Sequence, residues 1–231
     1  MISRLKQFIG GLLHRYRLGQ EARRHRKEVE GKSVDVVFTE IFKRNFWGDR
    51  ESVSGSGSNQ EQTRVIVREI PRVLKQVGAR TLLDLPCGDF NWMQRVDLSG
   101  VSYTGGEIVQ DLVDLNQKKF GRDGISFKKM NLIDGDLPAS DVLLCRDCLV
   151  HLSNEQIHAS LANIKKHGIR YLLTTSFTET KKNSNIVTGE WRPINLEIPP
   201  FSLKAVEVIN EECTEGNGQF ADKSLILVRM N

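Results

Sequence analysis

The stretch Thr81-Leu82-Leu83-Asp84-Leu85-Pro86-Cys87-Gly88-Asp89-Phe90 constrains this chain more than any other. An apolar run of β type ends in an acid and turns at once through Pro and Gly. A second run, Tyr103-Thr104-Gly105-Gly106-Glu107-Ile108, ends in another acid roughly 20 residues on. Strand, tight turn, helix, strand, acid is the layout of a nucleoside site at the first crossover of a doubly wound α/β sheet. The carboxylate of Glu107 is then placed to accept hydrogen bonds from ribose hydroxyls.

The kind of nucleoside follows from what the turn lacks. A dinucleotide site needs glycines where the backbone approaches a pyrophosphate. Here Pro86 and Phe90 hold the first and third glycine positions, and only Gly88 remains. S-adenosylmethionine (SAM) carries no phosphate and tolerates a bulkier turn. The stretch resembles the first motif of class I SAM-dependent methyltransferases, in a Pro-Cys-Gly-Asp variant. Ala139 to Ser153 resembles the fourth strand of that family with its following segment, and Tyr171 to Phe177 its fifth strand. Over most of the chain the sequence is similar to a largely uncharacterised bacterial-type group. The shared segments are Glu51 to Ser58, Pro86 to Phe90, Arg146 to His151 and Thr188 to Pro193. The resemblance implies methyl transfer and a Rossmann-like sheet of about seven strands, and leaves the substrate open.

Hydrophobic periodicity divides the chain. Val34, Val37, Phe38, Ile41 and Phe42 predict an amphipathic helix over 33–45. Ser52 to Ser58 is a Ser/Gly loop, and 61–77 reads as a helix that Pro71 kinks or splits. Strands are expected near 81–85, 102–106, 125–129, 141–145 and 170–176, with helical segments near 91–96, 109–120 and 153–167. Runs 205–210 and 224–230 form a closing pair. The expected organisation is a basic extension (1–32), a helical cap (33–78) and a Rossmann-like core (79–231) carrying a substrate loop over 177–204. A loop this long in a compact domain is usually functional.

Charge is uneven along the chain. Residues 1–32 hold nine Lys/Arg against three Asp/Glu, whereas the rest holds 24 against 26. The body is therefore not basic, which argues against a long nucleic-acid footprint. Ile2, Leu5, Ile9, Leu12 and Tyr16 form one stripe of a helix flanked by Arg4, Lys6, Arg15 and Arg17. Such a helix can lie on an anionic membrane surface. No stretch suits a membrane span or a secretory signal, so a cytoplasmic protein, peripheral at the inner membrane through residues 1–18, is expected. Four cysteines without a scaffold pattern read as reduced thiols. Cys145-x-x-Cys148-x-x-His151 straddles a strand-to-helix turn, which argues against zinc or redox chemistry, and no metal site is expected.

Active sites of open α/β sheets lie at the carboxyl ends of the strands. Asp147, just after the fourth strand, is the first candidate base and His151 the second. Arg146 beside them borders the cofactor or neutralises Asp147. For the cofactor, the candidates are Asp84, Pro86 and Gly88 at the methionine part, Glu107 and Ile108 at the ribose, and Asn131 and Leu132 at the adenine. Asp134 is a further candidate there. Ser58, Thr63 and Arg64, at a helix start, are candidates for the cofactor carboxylate, with simple capping as the competing reading. Trp191, Arg192 and Asn195 are the substrate-side candidates, since an aromatic face with polar neighbours suits a sugar.

Other chemistries fit less well. A cytosine-C5 enzyme would carry its Pro-Cys beside the fourth strand, not in the cofactor turn. The adenine-N6 signature is absent, and missing glycines disfavour a dehydrogenase. The expected function is O-methylation of a small molecule, a sugar or lipid-linked glycan. Protein or peptide methylation, or a degenerate binding protein of the same fold, are the alternatives.

Overall fold

The computed structural model describes residues 26–29 and 31–230. Among them, seven strands form one sheet: β1 (Thr81–Asp84), β2 (Ser102–Glu107), β3 (Ile125–Lys129), β4 (Val142–Cys145), β5 (Tyr171–Phe177), β6 (Ala205–Asn210) and β7 (Lys223–Arg229). Their order is β3-β2-β1-β4-β5-β7-β6. Strands β1 to β5 are parallel, and β7 runs antiparallel between β5 and β6. The helices are α1 (Val34–Lys43), α2 (Gln60–Gln76), α3 (Gln110–Phe120) and α4 (Asn154–Lys166).

The central strands are buried on both faces, which explains their continuous apolar runs. Leu82, Leu144, Leu173 and Leu225 face the layer built by Ile66, Ile70 and Leu74 of α2. Their neighbours Leu83, Leu143, Leu172 and Ile226 face Ile157 and Ile164 of α4. This alternation is the two-residue period of strands, read on both sides at once. Helix α2 is therefore a core layer rather than a cap, and it runs unbroken through Pro71. The apolar stripe continues on both sides of Pro71, so packing offsets the hydrogen bond that proline removes. At α4, Ser153 and Gln156 form a reciprocal capping box that fixes where the helix starts.

The helical segment expected near 91–96 is only a 3-10 turn, Met93–Arg95. Asp89 accepts the backbone N–H of Asn91, a local bond that competes with helix formation. The stripe from Ile2 to Tyr16 lies outside the described residues, as do the basic residues that flank it. Among the described residues no helix is long and apolar enough to cross a membrane.

Candidate active site

Strand β1 pairs with β2 on one side and β4 on the other. The chain steps outward from β1 to β2 and β3 and then crosses back to β4 on the other side of β1, and this reversal opens a crevice beyond the carboxyl ends of the strands. A cleft of about 1150 Å3, its mouth included, lies there. Asp84 ends β1, Glu107 ends β2, and Arg146 and Asp147 follow β4; all four line it. Pro86, Gly88, Ile108, Asn131, Leu132 and Ser58 line it as well. Val109, Leu112, Met130 and Ile133 give it an apolar lining, and Val34, Phe38 and Phe42 of α1, at helical spacing, line it as well.

The turn after β1 explains its own sequence. Phe90, in the third glycine position, is fully buried and packs on Tyr103, Phe120 and Phe127 with ring centroids 5.0–5.2 Å apart. It is a core residue, held at a positive φ of 58°. Gly88, at φ 55°, is required by close approach: a Cβ there would stand 2.2 Å from Ser54 Oγ. Ser54 belongs to the Ser/Gly loop, which Asp89 ties to the turn. Asp89 Oδ1 accepts from Ser52 Oγ at 3.0 Å and Oδ2 from the Val53 N–H at 2.9 Å.

Glu107 is fixed by three backbone donors, from Ile108 at 2.8 Å and from Val109 and Gly88 at 3.2 Å. Burial raises its pKa, and these N–H groups work against the rise. Asp84 accepts from the Tyr103 hydroxyl at 2.7 Å. Burial pushes it up to about 7, against the pull of Tyr103 and Arg146. Asn131 lines the cleft, yet its amide is engaged in the turn after β3, donating to Asp134 at 2.6 Å and accepting from the Ile133 N–H.

A second cavity, about 740 Å3 with its mouth, adjoins the first. Trp47, Ser54, Asp147 and His151 line both. Phe177, Trp191 and Phe220 stand mutually near-perpendicular around one side of it, at 71–87°. Gly55, Ser56, Gly57, Glu215 and Lys223 complete its lining.

At the shared boundary the two candidate bases differ sharply. Asp147 lies 2.7 Å from Lys223 Nζ and 3.1 Å from an Arg146 nitrogen. Burial alone would raise its carboxyl, but Arg146 and Lys223 outweigh it and hold it down to about 2. Arg146 is itself paired with buried Glu211 at 2.6 Å. His151 has its Nδ1 3.0 Å from the Glu190 carbonyl. A carbonyl only accepts, so Nδ1 carries the proton and Nε2 is left as the basic nitrogen. Burial lowers the pKa of His151 to about 4, which leaves the ring neutral near pH 7. Trp47 stacks beside it at 4.8 Å.

Besides Asp134, which is paired with Asn131, four expected site residues lie outside both cavities. Thr63 donates to the Asn59 carbonyl at 2.7 Å within the first turn of α2, whose cap is Asn59. Arg64 is a surface residue paired with Glu61 and Glu212. Arg192 is buried and donates to the Leu149 carbonyl, Asn154 and the Ser184 carbonyl. Asn195 is spent on the carbonyls of Thr178 and Thr180. Arg192 holds the long loop against the His151 turn and Asn195 ties the loop to its own first residues, so the loop buttresses the site and only Trp191 of the three faces a cavity. Sequence reasoning missed Lys223, Glu211 and Glu215. A lysine opening the otherwise apolar β7 run was the available signal, since ionisable residues are seldom buried without a task.

This sheet order, with an antiparallel β7 inserted beside β5 and acids at the ends of β1 and β2, is the Rossmann-like methyltransferase fold. Solved structures of that class superpose on it. PigF with S-adenosylhomocysteine (SAH) matches with a TM-score of 0.61 at 15% identity, over 91% of this chain and 68% of its own. Human N-acetylserotonin methyltransferase in complex with SAM matches at 0.59 and 15%, over 87% and 61%. Magnesium protoporphyrin IX methyltransferase from Synechocystis PCC 6803 with bound SAH matches at 0.53 and 15%, over 82% and 94%. The chain thus spans about three fifths of the human enzyme's length. No protein-family model matches the sequence, and no curated protein matches it.

Proposed function

We propose that this protein is a SAM-dependent methyltransferase whose acceptor is a small-molecule hydroxyl, of a sugar or lipid-linked glycan. The observation that carries the cofactor reading is the charge of the first cleft. Asp84, Asp89, Glu107 and Asp147 line it against one guanidinium, Arg146, which is already paired with Glu211 and Asp147. Such a cleft repels a pyrophosphate and favours a positively charged nucleoside. SAM or SAH accompanies three proteins of this fold. Glu107 would hold the ribose, the Val109, Leu112, Met130 and Ile133 wall the adenine, and Asp84 with the Gly88 turn the methionine part.

When bound, SAM supplies an electrophilic methyl group on a cationic sulfur. The chain's own work is to align an acceptor oxygen and receive its proton. His151 suits the second task, because its Nε2 is unprotonated at neutral pH and its ring lies at the boundary of the two cavities. Asp147, locked to two cations, supplies fixed negative charge beside it. Trp191 and Trp47 offer faces on which a sugar ring packs. The apolar stripe of residues 2–16, with its basic flanks, supports a substrate presented at a membrane surface.

The direct test is SAH formation from SAM with a panel of free and lipid-linked sugars. Acceptor-dependent SAH is expected. SAM binding with no SAH from any hydroxyl, amine or peptide acceptor would make the protein a binding module of this fold.

A further inference from the structure

The second cavity carries more information than the need for an acceptor. Its charges do not cancel. Lys223 and Arg146 face three carboxylates, those of Asp147, Glu211 and Glu215, so the cluster keeps one negative charge. His151, the remaining titratable group at this boundary, is neutral. The excess falls on Glu215. Lys223 Nζ is 2.7 Å from Asp147 but 3.5 Å from Glu215 Oε2, whose other contact is the weak Cys213 thiol at 3.7 Å. Among the described residues Glu215 Oε1 has only the Ser56 hydroxyl, at 2.7 Å. Deeper in the cluster, the buried Glu211 Oε1 has no hydrogen-bond partner among the described residues. Glu215 and Lys223 line the second cavity and not the first, so a charge on the cofactor does not answer this excess directly.

The aromatic wall points the same way. Trp191 is 44% exposed although it packs edge-on with Phe177 and Phe220. Indole and phenyl faces attract cations through the ring quadrupole, and more strongly where water is scarce. Aromatic rings that line one cavity with an under-compensated carboxylate make a cation seat. A neutral sugar would use the faces and leave the carboxylate unanswered, and an anion would add to the excess.

We infer that the ligand of the second cavity carries a positive charge, an amine or quaternary ammonium, held between the Trp191–Phe220 wall and Glu215. Calling that ligand the methyl acceptor rests on the methyltransferase reading; the cation seat itself does not. An amine-bearing sugar or alcohol satisfies both.

The test uses choline and its uncharged isostere 3,3-dimethyl-1-butanol, titrated into full-length, cofactor-free protein and followed by tryptophan fluorescence and ligand-observed NMR. Choline is expected to bind about tenfold more tightly than the isostere. Glu215→Gln and Trp191→Leu should each reduce that preference severalfold while retaining the thermal unfolding profile of the wild type. The first cleft is acidic as well, so the variants place the site. Equal affinities, preference for the neutral compound, or binding of neither at tens of millimolar would overturn the inference, and so would a choline preference unchanged in folded Glu215→Gln and Trp191→Leu. Because no cofactor is present, the result is independent of whether SAM binds.

Discussion

Lys223 Nζ stands 2.7 Å from Asp147 Oδ2, and this contact alters what the carboxylate at the end of β4 can do. A carboxyl held near a pKa of 2 is a poor proton acceptor at any physiological pH. The neighbouring imidazole, with one nitrogen committed to Glu190 and the other basic, is the better base. His151→Gln should therefore lower kcat by about 10²–10⁴-fold while leaving SAM affinity within twofold of wild type. Asp147→Asn should act differently, by removing the nearest ion-pair partner of Lys223 and one of the two partners of Arg146. Its unfolding free energy should fall by about 2–3 kcal/mol, below the figure for a fully buried pair because the carboxylate is partly exposed. Denaturant titration and single-turnover kinetics on both variants separate the roles. Turnover lost in Asp147→Asn and kept in His151→Gln would return the base to Asp147.

Cofactor affinity should depend on pH through Asp84. Its folded-state pKa is raised to about 7 by burial, with Glu107 adding to the rise and Tyr103 and Arg146 opposing it. A cationic ligand prefers the ionised carboxylate. Affinity for SAM should thus fall as pH drops below 7, by up to about tenfold per pH unit, and level off above it. Calorimetry from pH 5.5 to 8.5 in buffers of different ionisation enthalpy reads both the slope and the released proton. Asp84→Asn should flatten the profile; an equally steep profile in that variant would assign the proton elsewhere.

Arg192→Ala should reveal a structural rather than a substrate-binding arginine. The side chain is 5% exposed and donates to two carbonyls and to Asn154. Its loss strands those acceptors and should cost about 2–4 kcal/mol of stability. In protein kept folded at low temperature, KM for the acceptor should change little. A large rise in KM with unchanged stability would restore the substrate role.

Deleting residues 1–18 should spare SAM affinity and reduce cosedimentation with phosphatidylserine vesicles at low salt, given the apolar stripe and its basic flanks. Equal cosedimentation of both forms would remove the membrane contact.

The parts of this molecule written locally were the parts legible in its sequence. The parallel strands were readable because apolar runs ending in Asp84, Glu107 and Arg146-Asp147 carry both period and position. The substrate side was not. Glu211, Glu215 and Lys223 meet Arg146 and Asp147 only through the pairing of β7 with β5, a contact no local pattern encodes. Arg192 and Asn195 look like exposed polar loop residues in one dimension and prove to be buried hydrogen-bond hubs. Phe90 misleads in the opposite sense: it reads as a departure from a glycine motif, yet it anchors the aromatic cluster beneath the turn.

The most direct test of the account is calorimetric binding of SAM to the wild type and to Glu107→Ala. Glu107 is anchored by three backbone N–H donors and lines the cleft at the end of β2. We expect one SAM per chain in the wild type. In the variant, affinity should be weaker by about 1.5–3 kcal/mol, the range for a charged hydrogen-bonding partner. No binding of SAM to the wild type, or unchanged affinity in a Glu107→Ala protein of native stability, would contradict it.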